Sequence, residues 1–117
     1  YVTFKVRLYF MLAEIQIRSD EKENARRNLD AAIARQQRVI QSQPESHWHR
    51  LWQARMQTQL VELLVELDRP DAARQEIARI EDSLESLRNQ GSIVEDQRAS
   101  GRIQKIRDQI TDLKKSL

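Results

Sequence analysis

Apolar residues recur at steps of three and four along most of this sequence, which is the spacing of an amphipathic helix. Between residues 73 and 87 they step by 4, 3, 4 and 3, and between residues 99 and 117 by 4, 3, 4, 3 and 4. Both are narrow apolar seams with charged flanks, typical of helices that pack against other helices. The two segments are predicted to form an antiparallel helical hairpin joined at Gly91 and Ser92.

Turn-forming residues divide the chain into five predicted helices, at about 3–18, 21–41, 44–67, 68–89 and 93–116. Gly91 predicts a C-terminal cap, and Pro44 is expected in the first turn of the third helix. Four motifs have the spacing of a helix N-cap with its partner: Asp20 with Glu23, Ser42 with Glu45, Asp68 with Pro70 and Asp71, and Ser92 with Glu95. Because every joint is short, consecutive helices are expected to lie antiparallel.

The first segment fits two patterns. Apolar residues alternate strictly from residue 2 to residue 12, as in a strand. We favour a helix, since the chain offers a strand no partner. Its helical face is predicted to be Phe4, Leu8, Met11, Leu12 and Ile15. Such a helix is apolar nearly all round, which suggests an absent N-terminal neighbour or a homodimer contact.

Composition narrows the class of protein. The 117 residues include two glycines and no cysteine, which leaves little turn chemistry for β-hairpins and excludes disulfides and thiolate zinc sites. No run approaches the roughly 18 apolar residues of a membrane span, so we expect no membrane contact and a cytoplasmic location. Tyr1 is not an initiator methionine, and we interpret residues 1–117 as one helical domain cut from a longer chain.

Two pairs of predicted helices share a pattern of small and bulky residues. In the first pair these are Tyr9, Leu12 and Ala13, then Ala25, Leu29 and Ala32; in the second, Leu60, Val61 and Leu64, then Ala73, Ile77 and Ile80. The pattern resembles the tetratricopeptide repeat, a helix pair in which a small residue in the second helix allows close packing. It departs from that family in spacing, because Ala25 and Ala73 are 48 residues apart where the family period is about 34.

The resemblance implies an array of antiparallel hairpins, with units of about 3–42 and 44–89 and a C-terminal helix 93–116. Degenerate repeats of this kind are attached to bacterial signalling proteins such as Ser/Thr kinases, where they act as scaffolds. The resemblance therefore implies a non-enzymatic module that binds a protein, a peptide or another region of its parent chain. The first helix of each unit would line the groove, through Arg7, Phe10, Glu14, Ile17, Arg55, Thr58 and Glu62.

No motif points to catalysis, a cofactor or a metal. His47 and His49 project about 200° apart on a helix and cannot chelate one ion together. Glu14, Glu62 and Glu66 lack the nucleophile or phosphate-binding loop that would accompany acid–base chemistry. Trp48 and Trp52 have two interpretations: an aromatic hot spot for a partner, or a plug that closes the corner between the second and third helices.

Two alternative functions remain open. The first is a structural homodimer formed through the first helix or the C-terminal heptad seam. The second, less favoured, is nucleic-acid binding through Arg-rich helix faces, because the net charge is only +2 and the two signs are interspersed. The basic residues it would use are Arg26, Arg27, Arg35, Arg102, Lys105, Lys114 and Lys115.

Overall fold

The chain forms five α-helices in the computed structural model, which describes residues 4–44, 46–89 and 97–117. They are α1 (Phe4–Arg18), α2 (Lys22–Ser42), α3 (His47–Glu66), α4 (Pro70–Arg88) and α5 (Gln97–Lys115). The described residues include no strand, so the prediction of an all-α fold with about five helices is confirmed. The strand interpretation fails from residue 4 onward, where α1 begins.

Side-chain contacts show how α1, α2 and α3 are arranged in space. Asn28 on α2 donates a hydrogen bond of 2.6 Å to Gln16, late in α1, while Arg35 lies over the ring of Tyr9, early in α1. The two helices therefore run antiparallel. The ring of Phe10 packs on Trp52 of α3, so α1 meets α3 as well as α2.

The last helix packs beside α3 and α4. Arg102 lies over the ring of Trp48 near the start of both α5 and α3, so these two helices run parallel. Lys114, at the end of α5, forms a 2.8 Å ion pair with Glu81 in the middle of α4. Helices α1, α3 and α5 thus form one layer, and α2 and α4 form the other.

The turns after α1 and α3 have the same geometry. Asp20 and Asp68 both adopt left-handed backbone, with φ of 60° and 57°. The amide after each aspartate donates to a carbonyl five residues earlier, from Glu21 to Gln16 and from Arg69 to Leu64. The α1–α2 and α3–α4 hairpins are therefore equivalent. One shift along the sequence relates the two hairpins: it takes Asp20 to Asp68 and Ala25 to Ala73. We call this shift the repeat offset.

This geometry corrects the predicted helix caps. Asp20 and Asp68 end the preceding helices, and the N-caps of α2 and α4 are Glu21 and Arg69, neither with a side-chain cap bond. Pro70 does occupy the first turn of α4.

The cap predicted at Ser42 is also wrong. Ser42 is the last residue of α2 and donates to the carbonyl of Val39. The N-cap of α3 is Ser46, so Pro44 lies before that helix. Glu45, Gly91, Ser92 and Glu95 fall outside the described residues.

The core follows the predicted seams. It includes the second-helix residues of both hairpins and the seam of α5: Ala25, Leu29, Ala32, Ala73, Ile77, Ile80, Ala99, Ile103, Ile106 and Ile110. Of the first-helix residues in the pattern, Ala13, Leu60, Val61 and Leu64 are buried, whereas Tyr9 is partly buried and Leu12 is 42% exposed. Alanines at the hairpin positions allow the helix backbones to approach closely. None of the described helices is both long and apolar enough to cross a lipid bilayer.

The face of α1 that enters the core differs from the apolar face named from the sequence. The buried residues of α1 are Val6, Phe10 and Ala13, because α1 lies at the end of its layer and packs only on its α2 and α3 sides. The residues named from the sequence as its apolar face lie on the opposite side and are 42% to 78% exposed. We call this surface the α1 stripe: Phe4, Leu8, Met11, Leu12 and Ile15.

Candidate functional site

A groove runs along α3, with α1 on one side and α5 on the other. One part is a cavity of about 430 Å³ between α3 and α5, lined by Leu51, Trp52, Arg55, Arg102, Lys105, Ile106 and Gln109. A second cavity of about 230 Å³ is lined by Phe10, Glu14, Arg55, Thr58, Gln59, Glu62 and Gln109. Arg55 and Gln109 border both cavities, which therefore adjoin. We call the two together the central groove.

Arg55 stands where the two cavities meet. Its guanidinium carbon lies 5.0 Å from the ring centroid of Trp52 and 5.6 Å from that of Phe10. These two rings pack edge to face with centroids 5.6 Å apart and planes inclined at 68°. Cation–π contacts with two rings restrict where the guanidinium can go, while the Arg55 side chain stays exposed. A charged donor is thus held in place at the centre of the groove.

The groove has opposite charges at its two ends. Arg102 and Lys105 line the end near the start of α3 and α5. Glu14 and Glu62 line the end near the last turns of α1 and α3. Desolvation, and then repulsion from Glu66, raise the pKa of the Glu62 carboxyl. A ligand that carries acidic groups at one end and basic groups at the other matches this arrangement.

The structure brings together five of the seven residues predicted to line the groove. Phe10, Glu14, Arg55, Thr58 and Glu62 border one cavity, whereas Arg7 and Ile17 border neither part of the groove. Phe10 and Thr58 are buried. Thr58 donates its hydroxyl hydrogen to the Ala54 carbonyl over 2.8 Å. These two therefore shape the groove, and the exposed charges of Arg55 and Glu62 face solvent.

The wall supplied by α5 was missed from the sequence. Arg102, Lys105 and Gln109 flank the apolar seam of α5, and their presence at the groove depends on where α5 docks. The only sequence signal is their position beside Ile103, Ile106 and Ile110, which face the core. Flanking positions of a seam are where side chains of a packed helix reach the edge of its partner.

The two tryptophans have different roles. Trp52 is half-buried and packs on Phe10 of α1. Trp48 is exposed and contacts His47 and Arg102. Trp52 therefore joins α1 to α3, while Trp48 lies beside the basic end of the groove.

A row of buried polar residues on α3 was also missed. His49, Gln53 and Gln57 lie four residues apart, and all three are buried. Gln53 donates to Gln37 of α2 over 2.9 Å, and Gln57 donates to Glu76 of α4 over 3.0 Å. The four-residue spacing is visible in the sequence as one face of a helix. The row hydrogen-bonds α3 to both helices of the second layer.

His49 is held in its neutral form by two glutamines. Its Nε2–H donates to Gln43 Oε1 over 3.1 Å, and its Nδ1 accepts from Gln36 Nε2 at 3.4 Å. The Gln36 amide also donates to the His49 carbonyl over 3.0 Å, which keeps its NH₂ group turned toward the ring. A proton on Nδ1 would therefore face a donor. Burial lowers the pKa of the His49 imidazole.

Acidification from about pH 7.5 to 5.5 should therefore lower the free energy of unfolding. The unfolded chain takes up a proton on His49 as the pH falls through 6.5, whereas the folded chain resists it. One such proton changes stability by at most about 1.4 kcal/mol per pH unit. Urea denaturation at both pH values measures the loss.

His49→Gln should reduce this dependence on pH, while His47→Gln serves as the neighbouring control. Burial raises the pKa of Asp30, and that of Glu62 is also raised. These carboxyls act with the opposite sign, because a raised pKa makes the folded chain bind a proton more readily than the unfolded chain, so they cannot cause a loss of stability on acidification. A wild-type stability that is unchanged or higher at the lower pH would contradict the neutral assignment.

Neither a metal centre nor a known relative identifies the groove. Among the described residues, no group of three or more His, Asp or Glu side chains is placed to hold a metal ion. No protein-family model matches the chain, and no curated protein or solved structure matches it.

Proposed function

We propose that this chain is a non-enzymatic protein-interaction module that binds a peptide or a helix in the central groove. The observation that carries the proposal is Arg55, fixed over Phe10 and Trp52 at the junction of the two cavities. A positioned guanidinium beside apolar surface suits a carboxylate followed by an apolar side chain.

The charges of the groove favour one class of ligand. With Arg102 and Lys105 at one end and Arg55 at the centre, acidic residues of the ligand belong in that half of the groove. With Glu14 and Glu62 at the other end, basic residues belong at the opposite terminus. The favoured ligand is an amphipathic segment with separated charges.

A repeat scaffold of the tetratricopeptide type is the wider context that we propose. Its support is the equivalence of the α1–α2 and α3–α4 turns at the repeat offset. The attachment to bacterial signalling proteins such as kinases rests on the sequence resemblance alone, and the cytoplasmic location rests on the short apolar runs of the sequence.

Nucleic-acid binding receives less support. Arg26 is paired with Glu23 and Asp30, and Lys114 is paired with Glu81. Cations already paired with carboxylates contribute little to binding phosphates.

Selection from a random-peptide phage library, followed by calorimetry with synthetic peptides, tests the groove. We expect recovered peptides to combine Asp or Glu with apolar residues. Arg55→Glu should weaken their binding by about 10- to 100-fold, the range for losing a charge-assisted hydrogen bond. Arg102→Glu should act in the same direction.

Arg38→Glu is the matched control, because Arg38 is exposed on α2, in the other layer. It makes the same change of charge and should leave peptide affinity within about twofold. Peptides that bind Arg55→Glu and Arg102→Glu as tightly as the wild type would rule out the groove as the binding site, as would a selection that yields no binders.

A further inference from the structure

The α1 stripe is an exposed apolar surface that lies outside the groove. Six large apolar side chains are exposed in the described part of the chain, and five of them belong to the stripe; the sixth is Trp48. The five lie within three turns on one side of a single helix. Contiguous apolar patches of this kind mark interaction sites on proteins.

The repeat geometry shows what kind of surface the α1 stripe is. At the repeat offset, Leu8, Leu12 and Ile15 correspond to Met56, Leu60 and Leu63 of α3. Those three side chains are 0%, 4% and 2% exposed. Phe4 corresponds to Trp52, which packs on Phe10 of the preceding hairpin. The stripe is thus the copy of a face that α3 uses to pack against other helices.

We propose that the α1 stripe binds the α1 stripe of a second copy of this chain, forming a symmetric dimer. A second copy offers no other comparable apolar surface on its described residues, since Trp48 is the one large apolar side chain exposed outside the stripe. Head-to-tail stacking would set the stripe against the outward side of α5. There the exposed residues include Arg98, Gln104 and Asp108. Pairing like with like closes the assembly at two copies.

The charges beside the stripe fit an antiparallel pair. Arg7 and Glu14 lie two turns apart on the same edge of the stripe. Arg7 and Glu14 are about equally far from the midpoint of the stripe. When two such helices pair antiparallel about a twofold axis, the same edges meet, and Arg7 of each copy faces Glu14 of the other. Two ion pairs then flank the apolar contact, whereas in a parallel pair each edge meets the opposite edge of the partner and Arg7 does not face Glu14.

The size of the surface suits a weak dimer. Five large side chains from each copy would bury on the order of 1,000 Å² in total, at the lower end for specific interfaces. A dissociation constant in the micromolar range is expected for an interface of this size. The apolar contact of the dimer does not depend on the groove proposal, because Arg7 and the stripe do not line the central groove, whereas Glu14 borders both surfaces.

Sedimentation velocity between about 5 and 500 µM tests the dimer. We expect the mass to rise from that of a 13.9 kDa monomer toward twice that value. Leu8→Glu and, separately, Met11→Glu should raise the dissociation constant at least about 10-fold. Both side chains are more than half exposed, so each variant should keep the wild-type far-UV circular dichroism spectrum.

A charge swap tests the antiparallel register. Arg7→Glu and Glu14→Arg should each raise the dissociation constant by about 3- to 10-fold, and the double variant should return it to within about twofold of the wild type. Arg38→Glu, on α2, is the control and should have no effect. Failure of the double variant to recover would overturn the antiparallel pairing.

Other outcomes would overturn the dimer itself. One is a mass that stays monomeric at every concentration. A monomer that instead sediments with vesicles of anionic phospholipid would overturn the dimer in the same way. The other is a dimer that Leu8→Glu and Met11→Glu both leave intact. Arg55→Glu should leave dimerisation unchanged, so failure of the dimer and failure of the groove proposal are distinguishable.

Discussion

Phe10→Ala should lower the free energy of unfolding by about 3 to 5 kcal/mol. Phe10 is only 4% exposed and packs edge to face on Trp52 while lying under Arg55. Its removal opens a cavity where α1 meets α3, and it also takes away one of the two rings that hold Arg55. Urea denaturation followed by circular dichroism measures the loss, which is a large part of the stability typical of a single domain.

Two further variants show how much of the lost stability comes from the buried Phe10 side chain. Leu12→Ala removes an apolar side chain from the same helix, but Leu12 is 42% exposed and should cost less than about 1 kcal/mol. Phe10→Leu keeps much of the volume and should recover more than half of the stability that alanine loses. If Phe10→Ala cost no more than Leu12→Ala, the α1–α3 contact described above would be wrong.

The helices of the second half follow directly from the sequence. In α4, the seam residues Ala73, Ile77, Ile80, Leu84 and Leu87 are all buried. Charged residues flank each seam, so only one face of α4 or α5 can enter the core with little burial of charge. The one carboxylate buried beside the α4 seam, Glu76, accepts a hydrogen bond from Gln57. Periodicity therefore predicts both the element and its buried face.

The same reasoning fails for α1 because it has two apolar faces. The stripe and the face containing Val6, Phe10 and Ala13 both have helical spacing. A sequence pattern reports which faces are apolar, whereas the position of a helix in its layer decides which face is covered. Periodicity alone therefore does not select the face of α1 that enters the core, and in the structure the smaller one does.

The caps show a second ambiguity. Aspartate is favoured both as an N-cap and, more than most side chains, in left-handed backbone at the end of a helix. Asp20 and Asp68 lie in joints so short that the two positions differ by one residue. The existence of each joint was predictable, but the role of its aspartate was not.

The groove was partly predictable. The resemblance to the tetratricopeptide repeat was enough to group Phe10, Glu14, Arg55, Thr58 and Glu62, which do border one cavity. The contribution of α5 depends on long-range docking that no local pattern encodes. The buried row of His49, Gln53 and Gln57 was missed for a related reason, since polar residues are interior only where partners such as Glu76 meet them.

Leu29→Ala and Ile77→Ala should each lower the free energy of unfolding by about 2 to 5 kcal/mol. These residues are equivalent at the repeat offset and are 0% and 3% exposed. Each lies four residues after the alanine that brings its hairpin together, Ala25 or Ala73, so both truncations leave a cavity between paired helices. Urea denaturation of the two variants, set against the wild type, measures both losses.

The shape of those unfolding curves tests whether the two hairpins act as one unit. Because α3 packs on both α2 and α4, the hairpins should unfold in one transition that either substitution shifts as a whole. Tryptophan fluorescence, which reports on α3, and circular dichroism should therefore give coincident curves for both variants. Ala34→Gly, at an exposed position of α2, controls for helix propensity and should cost about 1 kcal/mol. Two separate transitions in either variant would show that the hairpins are not cooperative, and a loss confined to one variant would contradict their equivalence.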